Sequence, residues 1–187
     1  FSSYTTYEHP LCVDDAVVAL KRDLDKPQRF VLLDPNTGAE QRLSYTGDIS
    51  TRPIYDSLRN RLWWTEYRRS MMFAEKVSST LCYMDLDEKR PRRVNMHRNV
   101  LYPTLDDKGD MAWVEYNADG RYTIQHSIGD GQPVVFPFGE EIHSLAWDNL
   151  TQSLYCIVTG DEGMWIASID DKGEVKRVTT PAYITIS

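Results

Sequence analysis

An all-β fold, made of a four-stranded unit repeated along the chain, is what the sequence predicts, and three observations carry that reading. One outline recurs: a short run ending in Asp56, a polar turn, then an apolar strand closing on Trp64-Thr-Glu-Tyr67. It returns from Val100 through Pro103 and Asp106 to Trp113-Val-Glu-Tyr116, and again from Ile142 to Asp148 and Ser153–Val158. A second echo lies further along each unit, in Phe30-Val-Leu-Leu-Asp34, Leu81-Cys-Tyr-Met-Asp85 and Met164-Trp-Ile-Ala-Ser168. Thirdly, no stretch sustains a helical period over the 11 to 18 residues that a helix requires.

Taken in order, Tyr4–Asp48 holds the apolar runs Ala16–Leu20 and Phe30–Leu33, and a further short strand at Ala39–Leu43. These predict three strands, the last two separated by the turn Asp34-Pro-Asn-Thr-Gly38, where proline fixes φ and glycine accepts positive φ. Ile49–Asn99 repeats the order with strands at Leu62–Tyr67 and Leu81–Leu86. The intervening Arg68–Thr80 is too long for a tight hairpin, and loops of about 12 residues or more are often functional. Met71-Met72-Phe73 within it is expected to cover the core. In Val100–Glu141 the turns are Asp106-Asp-Lys-Gly109 and Asn117-Ala-Asp-Gly120, both ending in the glycine that short hairpins favour. Ile142–Tyr183 has turns at Asp148–Gln152, Gly160–Gly163 and Asp170-Asp-Lys-Gly173. Residues 184–187 read as the start of a further unit. Pro53 and Pro103, three residues before Asp56 and Asp106, cannot donate to a ladder and so suit an edge strand.

A four-stranded unit repeating about every 42 to 51 residues is the mark of a β-propeller blade. Approximate blades are therefore 4–48, 49–99, 100–141 and 142–183. The residues resemble TolB-type, WD-repeat-like propeller repeats, whose blades carry an Asp-x-x-Gly turn before a strand of large apolar residues. Asp106-Asp-Lys-Gly-Asp-Met-Ala-Trp113 fits best, while the turns after Asp56 and Asp148 lack the glycine. A weaker similarity, to the YWTD repeats of receptor propellers, rests on Leu62-Trp-Trp-Thr-Glu66. Either resemblance implies a ring of about six or seven blades, of which about four are present here. The TolB-type likeness further implies a periplasmic, cell-envelope or exported setting.

The chain has 28 acidic against 21 basic residues, a net charge of −7. This argues against a general nucleic-acid binder, which needs a basic face for the phosphates. No run approaches the roughly 18 apolar residues needed to span a membrane. With no initiating Met, Phe1 reads as a processed or engineered start. Cys12, Cys82 and Cys156 lie in strand-like runs without CxxC spacing, so buried, unlinked thiols are expected. His9, His97, His126 and His143 form no HExxH, GxSxG does not occur, and no phosphate-cradling glycine loop is found. Glu115-x-Asn117-x-Asp119-Gly120 opens like a calcium loop, but His126 stands where that loop needs glutamate, so a hairpin is expected. Neither a catalytic residue, a metal ligand nor a cofactor is assigned.

What a repeat does supply is equivalence of position. By phase, the links between units are Tyr45–Asp48, His97–Asn99, Gly139–Glu141 and Pro181–Tyr183. They share one end of the blades with the turns between second and third strands. A binding rim of His97, Arg98, Glu140 and Glu141, with Tyr67 and Tyr116 behind, is expected there. Glu66 and Glu115 match across second strands and should point alike. Acidic groups beside aromatic ones suit a cationic or hydroxyl-rich ligand better than a phosphate. The expected function is non-enzymatic binding or scaffolding, presenting a loop face to a protein, peptide or glycan. The alternative is the gating propeller of a larger hydrolase, such as a prolyl-oligopeptidase-like peptidase, whose nucleophile lies in another domain.

Overall fold

The computed structural model describes residues 4–49, 51–69, 77–94, 99–127 and 132–182. The chain divides into two compact units, Phe1–His97 and Arg98–Ser187, each holding two four-stranded antiparallel sheets whose strands follow chain order. In the first unit these are β1 (Thr5–Val13), β2 (Ala16–Asp23), β3 (Arg29–Leu33) and β4 (Glu40–Tyr45), then β5 (Ile54–Asp56), β6 (Arg61–Arg69), β7 (Val77–Asp85) and β8 (Arg92–Arg93). The second contains β9 (Val100–Leu105), β10 (Met111–Tyr116), β11 (Tyr122–His126) and β12 (Val134–Phe138), then β13 (Glu141–Asp148), β14 (Ser153–Gly160), β15 (Gly163–Ile169) and β16 (Val175–Arg177). There is no helix among the described residues, and hence none long and apolar enough to cross a membrane.

Local chemistry explains the repeat. Aspartate side chains fold several of the turns by accepting backbone N–H bonds, the reason aspartate favours such positions. Asp56 Oδ1 accepts from Leu58 and Arg59. Asp106 Oδ1 accepts from Lys108 and Asp110 at 2.8 Å each, and Asp170 Oδ1 accepts from Lys172 and Glu174. Asp148 Oδ2 accepts from the Thr151 amide and hydroxyl, holding that carboxyl below the ordinary aspartate range. The segment that opens like a calcium loop is the hairpin between β10 and β11, with Gly120 at φ 81°.

First strands lie at sheet edges, where a missing N–H costs no ladder bond. Pro103 is within β9, and Pro53 directly precedes β5. The first strand is also bulged in three sheets: at Glu8/Leu11 in β1, opposite Ala112/Val114 in β9, and at Ile142/Ser144 in β13. A bulge leaves an extra residue out of the ladder and re-aims its side chain. His9 and Tyr102, each followed by proline, take φ of 52° and 49° there.

Each unit has its own core. In the first, Val18, Leu20 and Phe30 pack with Leu62, Trp64 and Met84 of the next sheet, and the rings of Phe30 and Trp64 meet edge-on at 5.0 Å. In the second, Val114 and Ile124 pack with Ile142, Leu154, Val158 and Ile169.

Three expectations need correction. The first sheet opens with β1, the fourth strand that the repeat requires, which the proline and bulge hid from the reading of apolar runs by breaking the alternation of Thr5–Val13. Strands β6 and β7 outrun the apolar runs, pairing Arg68 with Ser78 and Arg69 with Val77. Part of the expected loop Arg68–Thr80 is thus ladder, because polar residues continue a strand whose pairing is set by its neighbour. Met71, Met72 and Phe73 lie outside the described residues. Finally, Cys82 and Cys156 are buried but Cys12 is exposed.

No disulfide joins the cysteines, and burial pushes the Cys156 thiol up to about 12, leaving almost no reactive thiolate at neutral pH. An aromatic disulfide reagent should therefore titrate Cys12 alone in native protein, and three thiols after denaturation without reductant. Only one thiol after denaturation would contradict this arrangement.

Candidate functional site

The rim expected from the sequence is best defined in the second unit. Strands alternate in direction, so the β10–β11 turn, the β12–β13 link and the β14–β15 turn share one end of that unit. Tyr116 closes β10, Tyr122 opens β11 and Glu141 opens β13. The Tyr116 and Tyr122 rings lie tilted at 4.9 Å. Tyr122 donates its hydroxyl to Glu141 Oε1 at 3.4 Å. The two bulge positions bring further groups: His143 Nε2 is 4.0 Å from Glu141 Oε2. Tyr102 is near enough that the Glu141 charge, after burial, helps push its phenol up. The Tyr122 phenol is raised by the same two causes in the same order. Thr159 pairs with Glu141 across the ladder, and its buried hydroxyl has no hydrogen-bond partner among the described residues. Tyr102, Tyr122, His143 and Thr159 were not picked out from the sequence for this site.

Glu140 does not join this group. It lies over Gly160 and Trp165, where a Cβ on Gly160 would come within 2.8 Å of the Trp165 ring and 3.2 Å of Glu140 Cγ. It lines a separate cleft of about 310 Å3 with Phe138, Trp165 and Arg177, and Arg177 stacks 4.2 Å from the centre of the Trp165 ring. His97 and Arg98 lie outside the described residues.

In the first unit Tyr67 occupies the place that Tyr116 takes in the second. Its amide donates to Asp48 O at 2.8 Å, as the Tyr116 amide donates to Asn99 O at 3.3 Å. Both tyrosines are thus anchored to the link entering their sheet, with rings exposed at 50% and 42%. Glu66 and Glu115 do point alike, but inward to an indole. Trp64 Nε1 donates to Glu66 Oε1 at 3.0 Å, and Trp113 Nε1 to Glu115 Oε1 at 2.9 Å. Glu66 also accepts from the Gly47 amide at 3.0 Å and from Arg93 at 3.2 Å. A Cβ at Gly47 would sit 3.0 Å from Glu66 Oε2, so glycine permits this approach. Buried at 5% exposure, Glu66 holds the fold and offers nothing to a ligand.

Among the described residues no group of three or more acidic, histidine or cysteine side chains is arranged to hold a metal. No family model matches the sequence, and no curated protein matches it. Solved structures do match. The β-propeller domain of the trilobed protease from Pyrococcus furiosus aligns with a TM-score of 0.68 at 11% identity, over 95% of this chain and 58% of that one. TolB from Acinetobacter baumannii aligns with a TM-score of 0.65 at 13% identity, over 94% of this chain and 44% of that one. A chain of a nidogen/laminin complex aligns with a TM-score of 0.56 at 16% identity, over 89% and 59%. The fold is a β-propeller. The four sheets are its blades, and the likeness to TolB-type propellers read from the sequence holds in three dimensions. This chain spans less than two thirds of the length of each of these structures.

Proposed function

We propose that this propeller is a non-enzymatic binding or scaffolding module whose link end receives a protein, peptide or glycan partner. The observation that carries the reading is the Tyr116–Tyr122–Glu141 group. It joins an exposed aromatic face to a half-exposed carboxylate beside the unpartnered Thr159 hydroxyl. An aromatic face receives a sugar ring or a cation, and the carboxylate accepts from a hydroxyl or ammonium group. A phosphate would meet repulsion from Glu141. Glu140 borders the neighbouring cleft on the same link, and Tyr67, His97 and Arg98 join as candidates by their phase in the repeat. The approximate blades 4–48, 49–99, 100–141 and 142–183 belong to the same reading.

The test is binding of the chain to arrays of immobilised glycans and peptides, compared with Tyr116→Ala and Glu141→Gln. Both positions are solvent-facing, where substitutions change stability by about 0.5 kcal/mol or less. We expect affinity for the best array ligand to fall about tenfold or more in each variant, with an unchanged melting temperature. Array binding that survives both substitutions would overturn the assignment.

A further inference from the structure

A second site lies at the opposite end of the first unit, away from the link that carries Tyr67. The turns β1–β2, β3–β4, β5–β6 and β7–β8 share that end, because strand direction alternates. Between the two sheets they enclose an open cleft of about 650 Å3, within the range of roughly 300–1,000 Å3 usual for ligand sites. Its floor is aliphatic, with Val13, Leu32, Leu43 and Leu86 among the lining residues. The rim is acidic: Asp14, Asp15, Asp34, Glu40 and Asp87 stand there against the single cation Lys89.

The carboxylates differ in what they already do. Asp34 folds its own turn, accepting from the Asn36 amide and the Thr37 hydroxyl. Glu40 is held by Lys21 at 2.7 Å and by the Tyr7 hydroxyl at 2.8 Å. By contrast, the Asp14 and Asp15 carboxylates have no hydrogen-bond or ion-pair partner among the described residues. Among the described residues Asp87 accepts only from the neutral Asn60 amide, at 3.0 Å. Three carboxylates from two blades thus face one cleft, and none of them is ion-paired among the described residues. Two of them, Asp14 and Asp87, act together on Tyr55, whose phenol is raised first by burial and then by the charges of Asp14, Asp56 and Asp87.

We infer that this cleft binds a basic peptide segment in which lysine or arginine adjoins an aliphatic residue. The aliphatic side chain would cover the floor, and the cation would lie between Asp14, Asp15 and Asp87. An apolar floor alone would take any greasy segment; the unneutralised rim selects the basic one and repels an acidic one. A small polyamine would satisfy the rim but leave the floor wet, so the peptide is the better complement. The site is independent of the Tyr116–Glu141 rim, which lies in the other unit.

The probe is a fluorescent, end-capped peptide of alternating leucine and arginine, titrated against the chain at low and high salt. Controls are the same peptide with glutamate for arginine, and spermidine as competitor. Asp14→Asn with Asp15→Asn is the test variant; asparagine accepts the positive φ of 50° at position 14 as readily as aspartate does. We expect the double variant to lose about tenfold or more in affinity and Lys89→Ala to gain a few-fold, with high salt weakening the wild type. Glu141→Gln should leave this binding unchanged, so failure here and failure of the proposed rim are told apart. Equal binding of the acidic peptide, an unaffected double variant, or full displacement by equimolar spermidine would each overturn the proposal.

Discussion

Trp64→Ala is expected to lower the unfolding free energy by about 3–5 kcal/mol, the usual cost of truncating a large buried aromatic residue. Trp64 is wholly buried, and its ring meets Phe30 of the neighbouring sheet edge-on at 5.0 Å. Removing it opens a cavity where the two sheets of the first unit pack. Its indole N–H is bonded to Glu66. Trp64→Phe retains much of the volume and loses that bond, so a smaller loss of about 1–2 kcal/mol is expected. Guanidinium unfolding of both variants checks the pair. A Trp64→Ala protein within about 1 kcal/mol of wild type would mean that the Phe30–Trp64 packing does not hold this core.

Glu66→Ala is expected to cost about 2–4 kcal/mol, since it strands two N–H groups that share one carboxylate oxygen. The buried indole donor left without an acceptor costs about 1–3 kcal/mol, while the amide of the exposed Gly47 is lost to water at a smaller cost. Trp64 Nε1 and the Gly47 amide both use Oε1. The Arg93 pair adds little, because Arg93 is about half exposed and water screens its charge. Glu66→Gln keeps a carbonyl oxygen for the two donors, so its cost should be about 1 kcal/mol or less. Hydrogen exchange supplies the local readout: the Gly47 amide should exchange much faster in Glu66→Ala than in Glu66→Gln. Equal exchange in the two variants would show that the carboxylate does not anchor this link.

The contrast between Glu66 and Glu141 shows where sequence was sufficient and where it was not. Strand repeats were legible because Asp56, Asp106 and Asp148 fold equivalent turns with their own side chains, a local effect. The matched orientation of Glu66 and Glu115 was also legible, yet their destination was missed. The signal was present in Trp-x-Glu, since residues two apart on a strand share a face and an indole N–H needs an acceptor. Alternation likewise foretells that adjacent Glu140 and Glu141 must part, one toward Trp165 and the other toward Tyr122. Strand β1 was obscured by Pro10 and its bulge, which break the period-2 pattern. Tyr102 and His143 reach Glu141 through bulges, and a bulge shifts register without leaving a dependable mark in composition. The cleft of Asp14, Asp15 and Asp87 draws on four turns spread over two sheets, so no local pattern contains it.

The strictly consecutive order of strands in every sheet has a kinetic consequence. Within each sheet every strand after the first pairs with its immediate predecessor, and even the ladder pair Arg61 and Asp85 is separated by only 24 positions. Closing such short loops takes on the order of microseconds or less, and chains dominated by nearby pairings fold faster than those that must first join distant segments. Hairpins closed by Asp34, Asp56, Asp106, Asp148 and Asp170 can each form before the rest of the chain is in place. Blades can then complete one after another as the polypeptide leaves the ribosome, the slow step being left to the packing of Phe30 against Trp64 and of its counterparts in the second unit.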